Sequence, residues 1–94
     1  MTQKCERFIV FGVVQGVGFR YYTSRQGLES NVTGYAKNLN DGSVEVMVCG
    51  QNDNVEMFAK WLAHGPKSAT VDSVIRSGPL EREEECNIKG FEIL

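Results

Sequence analysis

The sequence predicts an α+β domain of order β-α-β-β-α-β with a short closing strand, a split βαβ sandwich whose helices share one face of an antiparallel sheet. Three observations carry this. An apolar, β-branched run, "RFIVFGVV" from Arg7 to Val14, breaks off at a pair of glycines. Two extended segments flank Asn40-Asp41-Gly42, and an amphipathic run from Val55 to Leu62 ends at Gly65-Pro66.

The elements follow in order. The first strand, Arg7 to Val14, is almost continuously apolar, which suits a central strand covered on both faces. "FRYYTSRQGLES", Phe19 to Ser30, has the length of a three-turn helix, although Gly27 costs about 1 kcal/mol against alanine. "VTGYAKNL" and "SVEVMVCG" read as strands two and three. Asp-Gly between such runs is a hairpin signal, because both central residues accept positive φ. In the second helix Asn52 or Asp53 can cap the start and Glu56 can complete a capping box with Asp53. Val55, Phe58, Ala59 and Leu62 form its apolar stripe. A fourth strand is expected over Thr70 to Ser77, an acidic loop over "EREEE" from Glu81 to Glu85, and a closing strand in "GFEIL".

This is the ferredoxin-like pattern. Two right-handed crossovers give a strand order of 4-1-3-2 and make strand one parallel to strand two. The loop after strand one and the residues before the Asp-Gly turn then open on the same edge of the sheet.

With 94 residues, one domain spanning 1–94 is expected, large enough to close its own core. Apolar residues make up 41% and charged residues 23%, and neither a membrane-spanning run nor a secretory leader is legible, so a cytoplasmic monomer with no membrane partner is expected. The formal charge of −2 disfavours a nucleic-acid partner, though a small anion could still be held by one arginine and oriented amides. Cys5, Cys49 and Cys86 lack the spacing of a metal knuckle and only His64 could join them, so neither metal nor cofactor is expected.

The stretch "VVQGVGFRYY", Val13 to Tyr22, carries the chemistry. Gly16 and Gly18 let successive residues alternate in backbone sign and turn several N–H groups inward, the concave nest that holds anions. A helix beginning at Phe19 adds its free amides, and Arg20 offers a planar fork of donors. The same glycines would also serve a plain tight turn. "GVGFRY" lacks the third glycine of G-x-G-x-x-G, no Gly-Lys-Ser or Gly-Lys-Thr is present, and Val14 to Arg20 contains no cysteine for covalent phosphoryl transfer.

"VVQGVGFRYYT" followed by "GYAKNLNDGSVEV" resembles the two signature segments of the acylphosphatase family, and "WLAHGP" with "VDSV" extends the resemblance over nearly the whole chain. Tyr35 stands where the family usually has tryptophan. The resemblance implies metal-free hydrolysis of acyl phosphates, mixed anhydrides of a carboxylic and phosphoric acid, to carboxylate and inorganic phosphate. It implies that Arg20 and the amides of Gln15, Gly16, Val17, Gly18 and Phe19 bind the phosphoryl group and that Asn38 positions the attacking water. An asparagine at a hairpin shoulder also commonly bonds its own backbone, and Asn40 belongs to the turn.

Other residues read as structural. His64 falls in the last turn of the second helix, where an imidazolium suits the helix dipole. Trp61, Phe58 and Leu62 read as packing, as do Phe8 and Phe11 on strand one. Cys5 and Cys49 lie near one another on strands one and three, on the face away from the helices, so a cross-strand disulfide is conceivable, whereas a reducing compartment would oppose it. Cys86 reads as an unpaired loop thiol. Two alternatives share the fold: a non-catalytic phosphate or anion receptor, and an RNA-binding module. The second needs aromatic platforms that "SVEVMVCG" does not supply.

Overall fold

In a computed structural model of the chain, the described residues are 3–80 and 89–94. The elements are β1 (Gln3–Val13), α1 (Phe19–Glu29), β2 (Thr33–Asn38), β3 (Val44–Gln51), α2 (Asn52–His64), β4 (Thr70–Leu80) and β5 (Phe91–Ile93). The sheet order is β4-β1-β3-β2-β5. The four expected strands pair antiparallel in the expected sequence, and β5 joins β2 in parallel, so the complete sheet is mixed. The acidic run Glu81–Glu85 and Cys86 lie outside the described residues.

Both helices cover one face. Phe8 and Val10 of β1, Val44, Val46 and Val48 of β3 and Ala36 of β2 meet Phe19 of α1 and Val55, Phe58 and Leu62 of α2 in one buried cluster, closed by Phe91 of β5. Their alternation along each strand is the period of two expected of a sheet with a single packed face. Strand β1 is therefore not covered equally on both sides. Arg7, Ile9 and Phe11 are only half-buried, and Phe11 belongs to neither core cluster, unlike Phe8. The opposite face carries a small cluster of Cys5, Met47 and Cys49 with Tyr35. Cys5 and Cys49 sit directly across the β1–β3 ladder with Cα atoms 4.1 Å apart and are joined as a disulfide. Beside them Arg7 Nε lies 2.8 Å from Glu45 Oε2. Burial raises the Tyr35 phenol above its ordinary range, and the Glu45 carboxylate adds to the effect.

Two local expectations change. The turn between β2 and β3 runs from the Leu39 carbonyl to the Gly42 N–H, so Asn40 and Asp41 are central and only Gly42 takes positive φ. Asp41 instead uses its carboxylate to accept the Ser43 N–H and hydroxyl, an Asx turn that closes the hairpin without a left-handed aspartate. Helix α2 starts one residue after Gln51 with no side-chain cap, and Glu56 does not fold back on Asp53. Its carboxylate is taken by Lys4 at 2.5 Å and by both terminal nitrogens of Arg76. Two cations at ion-pair distance outweigh one neutral main-chain N–H as partners for a carboxylate.

Candidate active site

The end of β1, the start of α1 and the β2–β3 hairpin meet at one edge. Gly16 has φ 76° and Gly18, the residue that opens α1, has φ 79° and ψ 12°. A Cβ added at Gly16 would meet nothing within 4 Å, so glycine serves there for its backbone sign and not for room. Left-handed conformation costs an L-residue roughly 1–2 kcal/mol. Two such residues separated by Val17 curl the chain, and among the described residues none accepts a hydrogen bond from the main-chain N–H groups of residues 15 to 19. Phe19, fully buried in the helix-side core, anchors the first turn of α1 behind this loop.

Three contacts fix the loop. Gln15 Nε2 donates to Leu39 O at 2.8 Å and to Ser43 O at 2.9 Å, tying the loop to both ends of the β2–β3 turn. On the other flank Ser68 Oγ donates to Val17 O at 2.7 Å. The Tyr22 ring lies against Gly18, where a Cβ would approach it to 3.4 Å. At the hairpin the Ser43 hydroxyl, and then its N–H, hold the Asp41 carboxyl below the usual carboxylate range. Gln15 is thus a clamp through its side chain, a role that composition could not separate from that of a simple amide donor. Ser68 carries no sequence signal; the Asp41-x-Ser43 spacing does.

Arg20 is half-buried, and no aspartate or glutamate among the described residues pairs with it. Its Nη1 donates to Leu94 O at 2.6 Å, while Leu94 N–H donates to Ala36 O at 2.8 Å. The guanidinium is therefore moored to β2 through Leu94. Asn38, two residues beyond Ala36, ends β2. Its Oδ1 is buried and has no hydrogen-bond partner among the described residues. A buried acceptor left in that state costs roughly 1–3 kcal/mol, which is tolerable where a ligand supplies the missing donor. The buried hydroxyl of Thr23, one turn into α1, likewise has no partner among the described residues. His64 is exposed at the end of α2, consistent with a capping position. No group of three or more metal-ligating side chains forms among the described residues.

Loop amides and a buried amide oxygen that have no partner among the described residues, together with a guanidinium that pairs with no aspartate or glutamate there, suit a tetrahedral oxyanion and a water molecule. Comparison with known proteins agrees with that chemistry. Residues 6–93 match the family described as Acylphosphatase. The chain is similar to an acylphosphatase from Vibrio parahaemolyticus, with 56% identity over the full length of both chains. An acylphosphatase from Vibrio cholerae is 54% identical, again over the full length of both. Among solved structures, an acylphosphatase from Coxiella burnetii superposes with a TM-score of 0.86 at 32% identity, covering 98% of this chain and 93% of that one. The enzyme from Bacillus subtilis gives 0.80 at 32% identity over 99% of each.

Proposed function

From the premise that the chain belongs to the acylphosphatase family, whose members hydrolyse acyl phosphates, we propose that the loop from Gln15 to Arg20 seats the phosphoryl group and that Asn38 orients the water. The buried Oδ1 of Asn38, which like the loop amides has no partner among the described residues, is the observation that carries this reading.

Phosphoryl transfer asks mainly for alignment and for neutralising charge on three equatorial oxygens. Loop N–H groups and Arg20 meet that demand. Asn38 Oδ1 accepts a hydrogen bond from water, which turns the water's lone pair toward phosphorus. A bond forms from water oxygen to phosphorus, and the bond from phosphorus to the acyl oxygen breaks. The electron pair leaves with the carboxylate, and the water proton passes to solvent. Carboxylate is a good leaving group, so the step requires no general acid, and an amide suffices because its task is orientation. With the charge balanced by Arg20 and the amides, the reaction proceeds without a metal ion, in a monomer with no nucleic-acid or membrane partner. Among the described residues no helix is long and apolar enough to cross a membrane.

A non-catalytic phosphate receptor would need the loop and not Asn38. The decisive experiment is turnover of an acyl phosphate in the presence of a chelator, comparing the parent with Arg20→Ala and Asn38→Ala. Near-total loss in both, with phosphate binding kept by Asn38→Ala and lost by Arg20→Ala, is expected; full turnover in either variant removes the assigned role.

A further inference from the structure

The phosphoryl seat has two flanks, and they differ. On the hairpin side Gln15 is bonded to Leu39 and Ser43, next to Asn38. On the other side Ser68 is bonded to Val17, and there a groove of about 500 Å³ begins between α1 and α2. Its walls include Tyr22 and Arg25 of α1, Trp61 of α2, and the Pro66-Lys67-Ser68 segment that follows α2. Two of these residues touch the loop itself, Ser68 through the Val17 carbonyl and Tyr22 through Gly18, so the groove borders the loop.

In-line displacement places the attacking and leaving oxygens on opposite sides of phosphorus. With water on the Asn38 side, the carboxylate departs toward the Ser68 side. Resting on the reading of the seat given above, we infer that the groove between α1 and α2 receives the acyl group and favours an aromatic one. Trp61 lies tilted over Phe58 with ring centroids 6.1 Å apart, which holds its indole as a wall of the groove, and Tyr22 supplies a second, exposed ring. Flat apolar groups gain from offset or edge contact with such rings. Lys67 lines the groove and makes no ion pair among the described residues, so it adds a positive charge on the side from which the carboxylate departs.

The test is a ratio. kcat/KM is measured for an aromatic acyl phosphate, benzoyl phosphate, and for acetyl phosphate, in the parent, Tyr22→Ala and Trp61→Ala. The ratio of aromatic to acetyl substrate is expected to fall by about fivefold or more in each variant, the scale of one lost aromatic contact. Trp61 also packs on the core, so Tyr22→Ala, which alters an exposed ring, keeps the question open to refutation if Trp61→Ala fails to fold. Titration of the parent with benzoate in saturating phosphate, followed by the Trp61 indole N–H resonance, gives a second readout. A ratio unchanged in Tyr22→Ala together with a static indole signal overturns the groove assignment while leaving the seat intact. A parent inert toward both substrates defeats the seat and the groove with it.

Discussion

Arg20 and Leu94 are joined by a 2.6 Å hydrogen bond from Nη1 to the main-chain oxygen, and the N–H of that same Leu94 is bonded to Ala36. The cation of the first loop is thereby tied, through β5, to the strand that presents Asn38. Long side chains lose rotamer freedom when they bind, and a guanidinium already held in place has less to lose at that moment. Two groups from different parts of the chain acquire a common frame this way.

That frame depends on Ser24, whose buried hydroxyl donates to Phe91 O at 2.7 Å and fastens β5 to α1. Ser24→Ala leaves a carbonyl short of its partner and is expected to cost about 1–3 kcal/mol of stability. Because Leu94, the acceptor of Arg20, directly follows β5, phosphate affinity should fall too. Denaturant unfolding and phosphate competition measured on the same variant check this; a stability loss with unaltered phosphate affinity would show that mooring Arg20 is unnecessary.

Gln15 gives a different signature. Gln15→Met preserves length and removes both donations to Leu39 and Ser43, so two carbonyls lose a donor and the loop loses its grip on the hairpin. The expected result is a fall in kcat larger than the rise in KM, on the order of tenfold for each 1.4 kcal/mol of misalignment. Steady-state kinetics separates the two constants. A pure KM effect would assign Gln15 to binding alone.

Much of this architecture was readable because it is set by neighbours in sequence. The apolar run before Gly16, the Asp41-Gly42 turn and the stripe Val55-Phe58-Ala59-Leu62 each announce a local element, and the order of elements then determines which loops share an edge. What escaped was long-range. Asp53 and Glu56 have capping-box spacing, yet Lys4 and Arg76 claim Glu56. The partner of Arg20 became visible only once β5 lay parallel to β2. Cys5 and Cys49 were placed near each other by topology, but their bond required the actual register.

Gly27 shows the same limit and supplies a test. By helix propensity, alanine should improve α1 by about 1 kcal/mol. A Cβ there, however, would lie 2.2 Å from the Phe91 ring, which seals the core against the helix. Overpacking costs typically about 1–3 kcal/mol, so steric conflict outweighs propensity and Gly27→Ala is expected to destabilise. Thermal unfolding of Gly27→Ala alone and combined with Phe91→Leu decides it: the smaller side chain should recover part of the loss, and a stabilised single variant would refute the packing argument.

The acid side of the stability curve should report on Glu56. Hydrogen bonds from Arg76 first, and Lys4 second, hold its carboxyl down to about 2 from an ordinary value of 4.5. Between those two values the unfolded chain binds a proton that the folded chain does not, so stability rises with pH across this interval. The contribution is complete above about pH 4.5 and disappears as pH drops through about 2. The Glu56 side chain is 42% exposed, so solvent screening keeps the energy small, under about 1 kcal/mol. Glu56→Gln should therefore flatten the melting temperature against pH between about pH 2 and 4.5, and salt should shrink the difference from the parent. Arg76 retains Glu6, which is buried beneath the same two cations, so the fold itself survives the change. An acid limb of identical slope in parent and variant would mean that Glu56 gains nothing from its two cations on folding.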